Sequence, residues 1–445
     1  MIDVVDVPVA LVERYRTRAP RYTSYPTAPQ FHAVDPAAVD AALGAGAGPM
    51  AAYVHIPFCR SLCSYCGCHV EIRTRRSVGA GYVDRVLAEL DLVAARLRPG
   101  RTLAQLALGG GTPTFLEPED MARLVRGLTA RLPFAPGADV SIEIDPRTVD
   151  GSYLDTLVDL GFNRFSFGVQ DLDPAVLDAV NRTQDAGLVW DALARLRARG
   201  SFDINLDLLY GLPHQTEASF ARTLASVVQM RPTRIALFHY AHVPWMKPAQ
   251  KLVERAGLPD AATRAGLFSL AGRCLVDAGF VAIGMDHYAL PGDALVAAAA
   301  DGSLQRNFMG YTTRAGLDQI GLGVSAIGFF GGVYAQDLKD RDRWEAELAS
   351  GTLPIERGFV LSADDRERRR IIMDLFCNFR ADFEPTRFAP ELARLAPLVR
   401  DGLVVPRADG LDVTPLGRHF VRNLCSVFDR YFESDPAQRR YSATA

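Results

Sequence analysis

A chain of 445 residues is too long for one ordinary hydrophobic core, and its length predicts one large domain with a smaller appendage. With 49% hydrophobic and 23% charged residues the composition is globular, and a formal net charge of −3 gives no electrostatic reason to expect a nucleic-acid partner. No apolar run is long enough to span a bilayer, and Met1–Val9 carries acids instead of the basic-then-apolar start of a signal peptide, so the expectation is a cytoplasmic protein without a membrane partner.

Residues 1–50 have little periodicity. Leu11–Arg18 reads as a short helix. Pro20 then opens a stretch, Arg21-Tyr22-Thr23-Ser24-Tyr25-Pro26-Thr27, that cannot form a regular helix and has the composition of a strapping or disordered arm. Ala51–Ile56 is an apolar strand stopped by Pro57, and the loop after it delivers Cys59, Cys63, Cys66 and Cys68, four of the chain's seven cysteines. Further strands are predicted at Leu103–Leu108, Val140–Ile144, Arg164–Gly168, Ile204–Tyr210, Arg234–Tyr240 and Val281–Met285. Between them lie amphipathic helices at Tyr82–Leu97, Glu119–Arg131, Gly187–Arg199, Glu217–Met230 and Ala261–Ala278. The alternation implies an α/β fold of parallel strands joined by right-handed crossovers.

Beyond Arg306 the pattern fades. The glycine-rich stretch Gly321–Gly328 is able to approach a ligand closely, Ala363–Leu375 reads as a charged helix, and Leu411–Gly417 with the amphipathic run to Tyr431 has the pattern of a winged helix. A DNA-binding role is set aside, because no basic helix accompanies it and a small helical cap over an active site uses the same pattern. Phe432–Ala445 reads as a loose tail. The predicted division is therefore an arm (1–50), a strand–helix domain (51–300), a connector (301–360) and a small, mostly helical C-terminal domain (361–445).

The cysteine loop carries the strongest chemistry. Thiolates spaced C-x3-C-x2-C, from Cys59, Cys63 and Cys66, can hold three irons of a cubane cluster and leave the fourth open. A structural zinc site pairs two separated C-x2-C units, whereas Cys274, Cys377 and Cys425 are scattered singles, and an odd number of cysteines argues against a disulfide framework. Cys68 lies beside the cluster position or is a small buried thiol. Gly109-Gly110-Gly111-Thr112-Pro113 lets backbone approach an ammonium or carboxylate, or is a tight turn; it lacks the lysine and spacing of a phosphate loop. Glu143, near the end of an apolar strand, needs a partner for its charge. Gln170, Arg182 and Asp207 fall at or just beyond strand ends, as ligand contacts or as an ordinary Arg–Asp bridge. His55 pairs with a carboxylate or is a satisfied core histidine.

The loop YVHIPFCRSLCSYCGC resembles the radical S-adenosylmethionine (SAM) superfamily, and within it the oxygen-independent coproporphyrinogen III oxidases. RYTSYPTA at Arg21–Ala28, GGGTPT at Gly109–Thr114, SIEIDPR at Ser141–Arg147, GFNRFSFGVQ at Gly161–Gln170, NLDLLYGLP at Asn205–Pro213, GMDHYA at Gly284–Ala289 and RNFMGYTT at Arg306–Thr313 extend the resemblance over nearly the whole chain. It implies a partial (β/α)6 barrel, with chemistry at the C-terminal strand ends, an arm beside the active site, where Arg21 faces an acidic substrate, and a winged-helix-like C-terminal domain.

The resemblance implies a [4Fe-4S] cluster on Cys59, Cys63 and Cys66, and two SAM molecules. Tyr53, Gly111, Thr112, Glu143 and Ile327 match first-SAM positions; Gln170, Arg182, Asp207 and Ala241 match a second SAM site; Cys68, Tyr53 and Glu143 form the expected catalytic set. The implied reaction converts two propionates of coproporphyrinogen III to the vinyl groups of protoporphyrinogen IX through a 5′-deoxyadenosyl radical, in anaerobic haem synthesis. It is served by a low-potential donor such as flavodoxin or ferredoxin, in a monomer. Met309 departs from the family, which usually carries glutamine there, and methionine cannot hydrogen-bond as an amide does. It leaves room for a radical SAM methyltransferase or a haem-degrading relative. A haem-binding trafficking protein on the same scaffold typically has Asp-Phe in place of Gly67-Cys68 and lacks the arm.

Overall fold

The computed structural model describes residues 7–432, 441, 442 and 444. Six parallel strands follow one another across the sheet in chain order: β1 (Met50–Ile56), β2 (Leu103–Gly110), β3 (Phe134–Ile144), β4 (Arg164–Gln170), β5 (Asp203–Tyr210) and β6 (Arg234–His239). Their sequences alternate strictly. In Ser-Ile-Glu-Ile, Arg-Phe-Ser-Phe and Asn-Leu-Asp-Leu one set of side chains is large and apolar, and Ile142, Ile144, Phe165, Phe167, Leu206 and Leu208 pack outward into the main core. The other set is small or polar. Register aligns Tyr53 with Ala107, Ala107 with Ser141, Glu143 with Ser166, and Ser166 with Asn205, so this face lacks the large side chains that would fill a barrel interior.

Val281–Met285, expected as a further strand of the series, is instead half of an antiparallel hairpin. β7 (Val281–Ile283) and β8 (His287–Ala289) fold together, and β8 runs antiparallel to β6, because the three-residue link, residues 284–286, is too short for a parallel crossover. At the other edge β9 (Gln319–Leu322) returns parallel to β1, with Ala51 opposite Gln319, and β10 (Ile327–Phe330), β11 (Val333–Asp337) and β12 (Ile355–Val360) extend the sheet antiparallel. The glycine-rich stretch Gly321–Gly328 thus belongs to the β9–β10 turn. A Cβ on Gly321 would lie 2.8 Å from the Ile327 carbonyl carbon, so its smallness serves its own hairpin.

The predicted helices form with ends shifted by up to a turn, as in Val78–Ala94 for Tyr82–Leu97, while Glu217–Met230 falls as expected. Helices at Pro36–Ala45, Gly151–Asp159, Arg341–Ala349 and Ala389–Arg400 were not foreseen. The C-terminal segment combines helices Ala363–Asn378, Ala389–Arg400 and Val421–Phe428 with an antiparallel sheet whose middle strand, Gly410–Val413, lies between Arg380–Asp382 and Val404–Arg407.

The N-terminal arm is a strap. Its helix is shorter than expected, Val9–Arg14, and Tyr22 and Tyr25 are buried in the same apolar cluster as Phe376, Phe420 and Phe428. Arg422 donates from Nη2 to the Ala19 carbonyl and from Nε to that of Pro20 at 3.2 Å, and Tyr22 donates to Asp429 at 3.2 Å. Most of the expected loose tail, Phe432–Ala445, lies outside the described residues. Among the described residues no helix is long and apolar enough to cross a membrane.

Candidate active site

Pro57 ends β1, and a short parallel pairing of Phe58–Cys59 with Glu71–Ile72 pinches the base of the cysteine loop. All seven cysteines are free. Cys59 Sγ lies 3.3 Å from Thr112 Oγ1, and burial pushes its thiol up to about 11, against the lowering effect of that hydroxyl. Cys63 Sγ is met by Arg182 Nη1 at 3.5 Å and Arg147 Nη2 at 3.9 Å. Cys66 is held below the ordinary thiol range, chiefly by a hydrogen bond from Cys68, whose own thiol is correspondingly raised. Cys68 is exposed, and its carbonyl accepts from Lys247 Nζ at 2.7 Å.

Among the described residues no three His, Cys, Asp or Glu side chains close on a single metal ion, as a zinc knot requires. The three cysteine ligands of a cubane each hold a different iron and stand farther apart. Soft sulfur donors flanked by hydroxyl and guanidinium groups fit an iron–sulfur cluster.

On the inner face of the barrel lies a cavity of about 330 Å³, bordered by Tyr53, Gly109, Glu143, Asp207, Arg306 and Met309 among others. Glu143 accepts from the Gly110 amide at 3.1 Å; burial, then the charge of Asp207, pushes it up to about 7. Asp207 accepts from Asn205 Nδ2 at 2.8 Å and Ser166 Oγ at 3.3 Å and is also raised by burial. Asn205 Oδ1 is buried without a hydrogen-bond partner. Two desolvated carboxylates and an orphaned acceptor in one cavity fit a cationic ligand, such as one bearing a sulfonium and an ammonium group.

His55 resolves as a satisfied histidine. Its Nε2 donates to the His69 carbonyl at 3.0 Å, and burial lowers it to about 4, so the neutral ring leaves Nδ1 bare to accept from Tyr53 Oη at 3.0 Å. This chain of bonds fixes the Tyr53 ring between β1 and the cysteine loop.

Of the residues predicted from sequence, Tyr53, Glu143 and Asp207 border the cavity, and Thr112 touches Cys59. Gly111 serves packing: its amide donates to the Ile56 carbonyl at 2.8 Å, and a Cβ there would lie 2.6 Å from the Pro57 carbonyl oxygen. Gln170 takes a left-handed φ of 69° at the end of β4, where the β4–β5 register shifts. Arg182 bonds the Gly168 carbonyl and lies 3.4 Å from Asp145, so the ordinary Arg–Asp bridge forms with Asp145 and not with Asp207. The Ala241 carbonyl accepts from Gln250 at 3.2 Å, and the same amide group donates to Tyr65 of the cysteine loop at 2.9 Å. Ile327 packs with Phe308 and Tyr334, and Phe308 borders the cavity.

Sequence reasoning passed over Asn205, Ser166, Asp145, Arg147, Asp286 and Arg306 as individuals. Each sits inside a motif already singled out, and the signal was a charged or polar residue at an inward strand position, as for Ser166 and Asn205, or just beyond a strand end, as for Asp145 and Arg147. Arg306 is buried with Nη1 3.7 Å from Asp286, and the charge of Asp286 also acts on Arg21, whose Nη2 donates to the His239 carbonyl at 2.6 Å. Two guanidiniums therefore share one carboxylate; Arg306 borders this cavity, and Arg21 and Asp286 border a second one that meets it at His287.

Residues 53–227 match the model of the radical SAM superfamily, and with a cysteine loop at the end of β1 and six parallel strands around a polar cavity the chain is a radical SAM protein. Over nearly its whole length it is similar to proteins named oxygen-independent coproporphyrinogen III oxidase. The one from Pseudomonas aeruginosa is 42% identical over 461 aligned positions, covering 99% of both chains, and the one from Escherichia coli is 39% identical over 453, again covering 99% of both. The solved structure of coproporphyrinogen III oxidase from Escherichia coli, described as a radical SAM enzyme, superposes with a TM-score of 0.91 at 38% identity, covering 96% of this chain and 100% of that one. The chain belongs to the oxygen-independent coproporphyrinogen III oxidase family.

Proposed function

We propose that the protein decarboxylates coproporphyrinogen III oxidatively to protoporphyrinogen IX, without oxygen, in porphyrin and haem synthesis. The observation that carries this reading is a three-cysteine loop at the end of β1 together with a barrel cavity bordered by the raised carboxylates Glu143 and Asp207 and by the buried Arg306. The carboxylates suit a cationic cofactor, and the positive charge of Arg306 in this cavity and of Arg21 in the adjoining one suits a substrate made of propionates.

Cys59, Cys63 and Cys66 would hold the [4Fe-4S] cluster. Tyr53, Thr112, Glu143 and, through backbone, Gly111 would hold one SAM with Ile327 beside it; Gln170, Arg182, Asp207 and Ala241 would hold a second. Cluster and SAM supply one-electron chemistry able to take hydrogen from an unactivated carbon. The chain's own residues bind, orient and enclose. Glu143 and Asp207 fix positive groups, Tyr53 is locked by His55, and Thr23 of the strap borders the cavity and shields it from water. The electron comes from an external low-potential carrier of the flavodoxin or ferredoxin kind.

The test is an anaerobic assay of cluster-reconstituted protein with coproporphyrinogen III, SAM and a low-potential reductant, read by mass. Two successive losses of carbon dioxide, abolished by Cys59→Ala, are expected. SAM cleavage or methyl transfer without decarboxylation, from protein with full iron content, would overturn the proposal.

A further inference from the structure

We propose that Arg147, clamped by Asp145, is a positioning residue that sets the reduction potential of the cluster through Cys63. The inference rests on the reading of Cys63 as a cluster ligand.

The local sequence builds the clamp. β3 ends at Ile144, and Pro146 starts a single helical turn, Pro146–Thr148, capped by Asp145, whose Oδ1 accepts from the Arg147 amide at 3.0 Å. The same carboxylate grips the Arg147 side chain at both ends of its fork, Nε to Oδ1 at 2.9 Å and Nη2 to Oδ2 at 2.7 Å. A guanidinium held in this bidentate way loses little freedom when it makes a further contact. That contact is Nη2 to Cys63 Sγ at 3.9 Å.

Arg182 approaches the same sulfur and the same carboxylate oxygen as Arg147, with Nη1 3.5 Å from Cys63 Sγ and 3.4 Å from Asp145 Oδ2. Two cations and one anion thus surround Cys63, a net positive charge placed against a single sulfur. The other two proposed ligands have neutral hydrogen-bond neighbours: Cys59 meets the hydroxyl of Thr112, and Cys66 meets the thiol of Cys68, with the charges of Lys247 and Arg182 also acting on Cys66. The asymmetry has a consequence for electron transfer. Hydrogen bonds to a ligating sulfur draw off negative charge and favour the reduced state of a cluster, and second-shell donors are a principal lever on its potential.

Arg147 is the informative residue to change, because its side chain remains 22% exposed on a surface turn and its loss does not empty the core. The experiment is an EPR-monitored redox titration of the reconstituted holoenzyme without SAM, comparing wild type with Arg147→Gln and Arg147→Lys, and with Cys63→Ala as control. At an ambient potential fixed at the wild-type midpoint, Arg147→Gln is expected to raise the ratio of oxidised to reduced cluster about tenfold, equivalent to about 59 mV for one electron. Arg147→Lys should fall between, since it keeps the charge but not the fork. Unchanged midpoints in both variants, with iron content and melting temperature preserved, would overturn the proposal. Cys63→Ala separates the two readings. If it retains a full cluster, Cys63 is no ligand and the reading beneath the proposal fails; if it loses the cluster while Arg147→Gln titrates as wild type, only the tuning role fails.

Discussion

Glu143 on β3 and Asp207 on β5 border one cavity with β4 between them, and the charge of Asp207 adds to burial in holding Glu143 up to about 7. Two carboxylates so placed repel each other until a cation arrives, so the ligand-free fold is stressed for the sake of binding. Glu143→Gln should therefore raise the urea midpoint of the ligand-free protein above pH 7, though only modestly because the Glu143 side chain faces an open cavity, and weaken SAM binding tenfold or more through loss of a charge-assisted bond. Urea unfolding at pH 8 beside equilibrium dialysis with SAM measures both; a variant that binds SAM as wild type does would remove Glu143 from the cofactor site.

A second buried acid pair sets a pH dependence. Glu89, on the helix Val78–Ala94, accepts from the Gly323 amide at 2.7 Å and from Trp344 Nε1 at 3.3 Å, and shares a hydrogen bond with Asp337; burial raises both acids. A carboxyl whose folded pKa lies above its unfolded value binds more protons when folded, so stability is full below the unfolded value near 4.5 and declines as pH rises towards the raised folded value. Wild-type urea midpoints should fall between pH 5 and pH 8. In Glu89→Gln the fall should be shallower, and parallel slopes would show that the pair does not titrate in this range.

Cys68→Ser should leave iron content and the visible absorbance of the reconstituted protein unchanged, because Cys68 is an exposed neighbour that hydrogen-bonds Cys66. Cys59→Ala, Cys63→Ala and Cys66→Ala should each lose the cluster. Loss of iron in Cys68→Ser comparable to those three would make it a ligand.

Arg422 holds the strap by bonds to the Ala19 and Pro20 carbonyls. Arg422→Met keeps the volume and removes charge-assisted bonds, each of about 1.5–3 kcal/mol. Brief trypsin treatment should then cut at Arg14, Arg16 or Arg18 at least tenfold faster than in wild type, while the barrel stays whole. Unchanged cleavage would mean that the tyrosines alone anchor the arm.

The alternation of the barrel strands was legible because strand period and burial coincide: Ser-Ile-Glu-Ile and Asn-Leu-Asp-Leu announce both an apolar outer face and a polar inner one. The cysteine spacing was legible for the same reason, one motif carrying one chemistry. Other features depend on contacts between distant segments, and no local pattern encodes those. β9 lies beside β1 although Gln319 and Ala51 are far apart in sequence, and Gly321 looks like a ligand loop until its hairpin partner Ile327 is in place. Arg147 and Cys63 meet only because β3 ends next to the cysteine loop. Met309 departs from the family, and its place on the cavity wall gives that departure access to whatever the cavity holds.

The strap imposes an order of assembly. Ala19 and Tyr22 are made before the barrel, but their partners Arg422 and Asp429 follow 403 and 407 residues later. Throughout synthesis of the barrel, therefore, the cysteine loop stands on finished strands while the cover over its cavity has nothing to close against. A growing chain thus passes through an open stage in which the cavity that Thr23 will border has no cover. Sealing comes only afterwards, when the two distant segments meet.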